Sequence, residues 1–133
     1  PITSEARIVM QISSTRPTHR IRPRAAYGAL SALLLAAAIA HGGGWWSFAA
    51  FIMAPDLALF LGIDPALEKG RLPPRAVPVY NALHSYAGPV LLGLAALGAG
   101  SGWTMGAIAW ALHISLDRAI GYGKRTRDGY QRS

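Results

Sequence analysis

Four long apolar segments, separated by short polar ones, restrict the fold of this chain more than any other feature. They cover residues 25–40, 45–62, 77–98 and 103–122, and the first and third contain no Asp, Glu, Lys or Arg. A helix needs about 20 residues, in a range of about 17–25, to cross the hydrocarbon core of a bilayer. Each segment is apolar around the whole helix, more than a small soluble bundle can bury. The sequence therefore predicts an all-α polytopic membrane protein with four transmembrane helices in an antiparallel bundle.

The basic residues predict how this bundle is oriented. The 13 Lys and Arg fall before residue 25, in the link of residues 63–76, and from residue 118 onward. The two glycine-rich connections, residues 41–44 and 98–102, contain none of them. By the positive-inside rule, both termini and the middle link lie in the cytoplasm. Although the net charge is +7, its grouping into islands between apolar segments argues against nucleic-acid binding, which needs a continuous basic face.

This topology gives expectations for domains, location and partners. Residues 1–23 and 124–133 are interpreted as basic cytoplasmic tails, and residues 24–123 as the transmembrane domain of a multi-pass protein of a bacterial cytoplasmic membrane. The expected partners are membrane lipids, with anionic headgroups at the cytoplasmic face, and a homo-oligomer or larger membrane complex. Whether Pro1 to Val9 belong to the natural protein stays open, because Met10 is a plausible initiator. A cleaved signal peptide ending at Ala38-Ile39-Ala40 is a lesser alternative, since three spans would remain.

Ionisable residues inside the apolar segments are the strongest functional signal. Each costs about 2.5–3.5 kcal/mol on insertion scales, so such residues are retained for a function by default. Asp56, His84, His113 and Asp117 fall at similar depths above the predicted cytoplasmic face, and Asn81 lies close to that level. His113 and Asp117 are four residues apart and Asn81 and His84 three apart, spacings that share a helix face. We expect all five side chains to point toward one another inside the bundle.

Two imidazoles and two carboxylates suggest a metal site. They form a suitable ligand set for Zn, Fe or Mn, with Asp56, His84, His113 and Asp117 as candidate ligands. The chain has no cysteine, which excludes thiolate ligands and cysteine nucleophiles. A metal with an open position would support hydrolysis at the membrane surface. Two alternatives stay open: a proton or ion relay, and hydrogen bonds that only fix the bundle in a structural or interaction subunit. No established spacing such as H-E-x-x-H occurs, so the enzyme question stays open as well.

Further polar side chains are predicted to support the cluster: Tyr80, Asn81, Tyr86, Arg118 and Tyr122. The tyrosines are candidate hydrogen-bond donors, although Tyr is also common at membrane interfaces. Arg118 is expected to extend toward the cytoplasmic phosphates, with an ion pair to Asp56 as the alternative. Pro55 is expected to loosen the second helix, and Gly88 to permit close contact between helices.

Three motifs resemble those of a known family. They are Ala54-Pro55-Asp56-Leu57, Tyr80-Asn81-x-x-His84-x-Tyr86-x-x-Pro89 and Trp110-x-x-His113-Ile114-x-x-Asp117-Arg118-x-x-Gly121-Tyr122-Gly123. Over about Ala25 to Lys124, the chain resembles a small bacterial integral-membrane family catalogued as domain of unknown function 4260. The resemblance implies a four-helix membrane protein and carries over Asp56, Asn81, His84, His113 and Asp117 as signature positions. It implies no activity.

Overall fold

The computed structural model describes residues 21–132, with side chains from Pro23 onward, and this part of the chain is helical without strands. The α-helices are α1 (Ile21–His41), α2 (Trp45–Met53), α3 (Leu57–Phe60), α4 (Val77–Leu83), α5 (Ala87–Ala99) and α6 (Ser101–Ile120). The predicted all-α class is therefore confirmed for the described residues. Of the tail predicted over residues 1–23, residues 1–20 lie outside the described part, and residues 21–23 already belong to α1.

Helix α6 is the centre of the bundle. It packs against α1, α2 and α5, and its buried residues include Met105, Ile114 and Ser115. Gly106 allows α2 to come close, because a Cβ there would lie only 2.7 Å from atoms of both Phe51 and Ser47. The fourth predicted segment, residues 103–122, thus corresponds to a helix that contacts three other helices.

The second predicted helix, residues 45–62, is interrupted at Pro55. Residues Ala54–Asp56 form a single 3-10 turn between α2 and α3, and the helical path ends at Phe60. Proline has no N–H to donate and its ring displaces the carbonyl four residues earlier, so the α-helical hydrogen bonds cannot continue through it. The expected loosening at Pro55 is confirmed.

The third predicted helix, residues 77–98, is wrong as a single helix. The structure has α4 and α5 at 50° to each other, with a break over residues 84–86. Pro89 explains the break, because it removes the hydrogen bond to the carbonyl of Ser85, and its ring crowds that carbonyl. The break places His84 at the C-terminal end of α4, with φ −95° and ψ 23°, where its side chain leaves the regular helical path.

Within the described residues, the helix Pro23–His41 is long and apolar enough by itself to cross a membrane. The bent pair α4 and α5 passes the same test when counted as one span, whereas the apolar helix Trp45–Phe60 is shorter. The structure thus contains one clear apolar span, and the arrangement with four spans and both termini inside stays a prediction.

The segment after α6 folds back onto the middle link. Gly121 ends α6 with φ 101°, a left-handed conformation that glycine adopts without steric cost. Arg125 and Gln131 then pair in an isolated bridge, and the N–H of Leu72 donates to the carbonyl of Gly129 at 3.0 Å. Leu72 itself packs in a small core with residues of α3 and α4, including Ala58 and Tyr80. The C-terminal segment and the link therefore cover the same end of the bundle.

Candidate metal centre

The two interruptions and α6 bring four side chains together. Asp56 comes from the 3-10 turn, His84 from the end of α4, and His113 and Asp117 from neighbouring turns of α6. One possible ligand atom from each of the four lies within 4.8 Å of all the others. These are the four side chains that the sequence singled out as candidate ligands.

Five of the six separations between these atoms, those that involve a histidine nitrogen, are nearly equal. His84 Nε2 lies 3.4 Å from His113 Nε2, 3.6 Å from Asp56 Oδ1 and 3.4 Å from Asp117 Oδ2. His113 Nε2 lies 3.5 Å from each of the same two oxygens. Charge-assisted hydrogen bonds between N and O measure about 2.7–2.9 Å, so these contacts are too long for them. In a tetrahedral site with ligand bonds of about 2.0–2.2 Å, adjacent ligand atoms are about 3.3–3.6 Å apart. These five distances match that spacing, and the sixth, between the oxygens of Asp56 and Asp117, lies within 4.8 Å.

The backbone of α4 orients the imidazole of His84. Its Nδ1 lies 2.9 Å from the carbonyl oxygen of Tyr80. Because a carbonyl only accepts hydrogen bonds, Nδ1 carries a proton and donates it, and Nε2 is the ring nitrogen that faces the cluster. The ring of Tyr80 stacks on the imidazole with centroids 3.9 Å apart. Histidine ligands of metals are commonly held by such a hydrogen bond from the other ring nitrogen.

Solvent exposure differs across the cluster. The side chains of His84 and His113 are 3% and 10% exposed, whereas those of Asp117 and Asp56 are 22% and 44% exposed. The cluster is therefore closed on the histidine side and open at Asp56.

Trp110 holds the helix break beside the cluster. Its Nε1 donates to the carbonyl of Leu83 at 2.7 Å, which satisfies one of the acceptors left without a helical partner at the end of α4. Its indole ring lies over Gly88, where any Cβ would overlap with it, and stacks on Phe51 with centroids 6.0 Å apart. Gly88 thus permits the close contact expected of it. Sequence reasoning did not assign a role to Trp110, although its position three residues before His113 places it on the same side of α6.

Arg118 also acts at the break. Its guanidinium donates to the carbonyl of His84 and to the hydroxyl of Tyr27, each at 3.3 Å, and lies over the ring of Tyr86 at 4.7 Å. The sequence predicted an outward extension to lipid phosphates, or an ion pair with Asp56. The side chain instead joins α1 to the break, because a free carbonyl and two aromatic rings lie within its reach.

The remaining predicted side chains take different positions. Tyr80 stacks on His84, as described, whereas Tyr86 donates its hydroxyl to Ser115, 2.8 Å away, since the Ser115 hydroxyl itself donates to Ala111. Tyr122 is more than half exposed.

The expectation that Asn81 faces the cluster is wrong. Its amide donates to the carbonyl of Arg125 at 3.0 Å and accepts from the N–H of the same residue at 2.7 Å. Residues three apart share a face only while the helix continues, and α4 ends at Leu83, between Asn81 and the imidazole of His84.

The comparisons with known proteins identify a family for this chain. A family model described as Domain of unknown function (DUF4260) matches residues 23–133. This match includes all four side chains of the cluster. No curated protein and no solved structure matches the chain.

Proposed function

The chain belongs to the DUF4260 family, and we propose its function from the candidate metal centre. The three motifs predicted this family, which is described as a domain of unknown function. The protein is an integral membrane protein with four apolar helical segments. It binds one divalent metal through Asp56, His84, His113 and Asp117, and uses the metal to hydrolyse a substrate that resides in the membrane.

The outer surface of the bundle supports a membrane location. Large apolar side chains are exposed on α1 and α5, among them Leu33, Leu91 and Leu97. Soluble monomers rarely expose contiguous apolar patches larger than a few hundred Å². The location proposed is a bacterial cytoplasmic membrane, where anionic lipid headgroups are the partners, together with further copies of the chain or a larger complex.

The two ends of the bundle differ in a way that supports both termini being cytoplasmic. At one end His41 Nε2 lies 2.9 Å from the Ser101 carbonyl, and Trp46 nearby is 91% exposed, as expected of an interfacial anchor. At the other end the link and the C-terminal segment expose Lys69, Arg75, Lys124, Arg127 and Arg132. This asymmetry agrees with the positive-inside rule.

The five separations of 3.4–3.6 Å that involve a histidine nitrogen carry the metal assignment. Charge balance supports it as well, because a divalent cation neutralises two carboxylates that would otherwise be costly in a low-dielectric environment. Tetrahedral coordination by nitrogen and oxygen favours Zn²⁺, whereas all-oxygen octahedral sites are typical of Mn²⁺, and a facial set of two His and one carboxylate is typical of Fe²⁺.

A divalent metal in this site would activate water for attack on an ester or phosphoester. The oxygen of the water bonds to the carbon or phosphorus, the bond to the alcohol oxygen breaks, and the departing alcohol takes up the proton that the water loses. Tyr80, Trp110 and Arg118 support this chemistry only by positioning, since they hold His84 and the helix break.

A purely structural ion is the second candidate function. Coordination by all four protein side chains would fill a tetrahedral site, as in structural zinc sites, whereas catalytic sites keep one position for water or substrate. Such an ion would fix the 3-10 turn, α4 and α6 relative to one another.

Elemental analysis of detergent-purified protein tests the metal assignment. We expect about one zinc per chain in the wild type and its loss in His84→Ala and His113→Ala, because each variant removes one of the two imidazole ligands on the closed side of the cluster. His41→Ala is the matched control and should keep its zinc, since His41 lies at the other end of the bundle. Folded wild-type protein that takes up no divalent metal contradicts the proposal. If metal is bound, ester hydrolysis that is abolished by a chelator and restored by zinc distinguishes the enzyme from the structural candidate.

A further inference from the structure

The exposed carboxylate of Asp56 distinguishes it from the other three ligands. We infer that Asp56 is the exchangeable ligand of the proposed metal, and that the position it vacates binds a phosphate oxygen of a lipid headgroup. The inference rests on the proposed function and adds to it which ligand exchanges and what takes its place.

The anchoring of the four ligands is unequal. His113 and Asp117 lie on the central helix α6, and His84 is held by the Tyr80 carbonyl and ring. Asp56 ends the 3-10 turn at Pro55, and its carboxylate caps no backbone N–H of α3. A ligand on an interrupted helix moves at the lowest cost, because fewer helical hydrogen bonds have to break. Asp56 is also the most exposed of the four, at 44%.

The surroundings of Asp56 indicate a ligand that arrives from the bilayer. Met53, Leu57 and Phe60 are large apolar residues close to Asp56 along α2 and α3, and all three are more than half exposed. An incoming ligand therefore passes apolar side chains, which suits a molecule with acyl chains rather than a free ion.

A groove whose lining begins at Ala58, two residues after Asp56 in sequence, supports a phosphate-bearing lipid as this ligand. It has a volume of about 220 Å³ and lies between α3 and α4, lined by Ala58, Leu61, Arg75, Ala76 and Val79. Arg75 is exposed and supplies positive charge at the edge of an otherwise apolar groove. That combination is complementary to an acyl chain with an anionic headgroup.

Cobalt-substituted protein tests this exchange by its visible absorption spectrum, which reports the ligands of Co²⁺ without any catalytic assay. We expect phosphatidic acid, added to the protein in phosphatidylcholine nanodiscs, to shift the cobalt bands. Asp56→Ala should keep its cobalt and show the shift at lower phosphatidic acid concentration, because the competing carboxylate is gone. Asp117→Ala and Asp117→Asn should lose cobalt.

The outcomes separate the inference from the proposed function. If the wild type binds neither cobalt nor zinc, the proposed function fails and the inference with it. If cobalt binds but Asp56→Ala loses it as completely as Asp117→Asn, or if phosphatidic acid leaves the bands unchanged, only the inference is overturned. Inorganic phosphate that shifts the bands at the same concentration as phosphatidic acid contradicts a lipid source.

Discussion

At the scale of single residues, the position of His84 depends on the contact between Gly88 and Trp110. The indole occupies the space that a side chain at residue 88 would fill, and from there it donates to the Leu83 carbonyl, one residue before His84. The position of one candidate ligand thus depends on Gly88, which has no side chain and takes no part in metal binding.

Gly88→Ala should therefore destabilise the protein. The added methyl group forces the Trp110 ring to move, and overpacking of this kind costs about 1–3 kcal/mol. Gly93→Ala on the same helix is the control, because its Cβ would meet Ala107 at an ordinary 3.7 Å. This variant should be more stable by up to about 1 kcal/mol, since alanine has a higher helix propensity than glycine. Unfolding in mixed detergent micelles measures both free energies. Equal free energies of unfolding for the two variants would contradict the close contact between Gly88 and Trp110.

Sequence spacing correctly predicted that two side chains share a helix face only where the helix continues between them. His113 and Asp117 both belong to the unbroken helix α6, so their spacing of four residues correctly placed them on one face. Asn81 and His84 span the end of α4, so the same reasoning failed for Asn81, whereas His84 does face the cluster. The pairing of Asn81 with Arg125 joins residues 44 apart in sequence, and no local pattern indicates such a contact.

At the scale of the helices, two prolines position two of the four candidate ligands. Pro55 was expected to loosen its helix because proline removes a helical hydrogen bond. The effect of Pro89 was missed, since the segment from residue 77 to 98 contains no charged residue that would mark an end, although the break itself falls on the polar residues His84, Ser85 and Tyr86. Hydrophobicity indicates which segments are buried or in lipid, but it does not indicate where the backbone bends.

Pro89→Ala should weaken metal binding. Alanine restores the N–H that can bond to the Ser85 carbonyl and favours one straight helix from α4 to α5, which moves His84 away from its partners. Changes that misplace a ligand typically lower metal affinity by about 10–100-fold, and competition with a fluorescent zinc chelator measures this. Pro78→Ala is the control, because Pro78 is exposed in the first turn of α4, where proline breaks no helical bond. An unchanged affinity in Pro89→Ala would mean that Trp110 and Arg118 maintain the break without the proline.

At the scale of the whole molecule, the polar cluster lies in a bundle whose outer surface is largely apolar. Side chains on α1, α2 and α5 face outward with apolar groups, while charged groups collect at the end formed by the middle link and the C-terminal segment. This distribution predicts one orientation in the bilayer, with the glycine loops outside and the basic end inside.

Single cysteines can test that orientation without background, because the chain contains no cysteine. Gly43 is suitable outside, since a Cβ there meets no atom within 4 Å, and exposed Lys69 is suitable inside. In spheroplasts, a membrane-impermeant maleimide should label Gly43→Cys directly and Lys69→Cys only after permeabilisation. Labelling of both variants in intact spheroplasts would contradict the four-span topology.

The proposed tetrahedral coordination of zinc by two imidazoles and two carboxylates is tested most directly by zinc K-edge X-ray absorption of the purified, zinc-loaded protein. We expect a first shell of four nitrogen and oxygen atoms at about 2.0–2.1 Å, with outer-shell scattering from two imidazole rings. A first shell of six oxygens, or a spectrum without imidazole scattering, would show that zinc does not bind at Asp56, His84, His113 and Asp117.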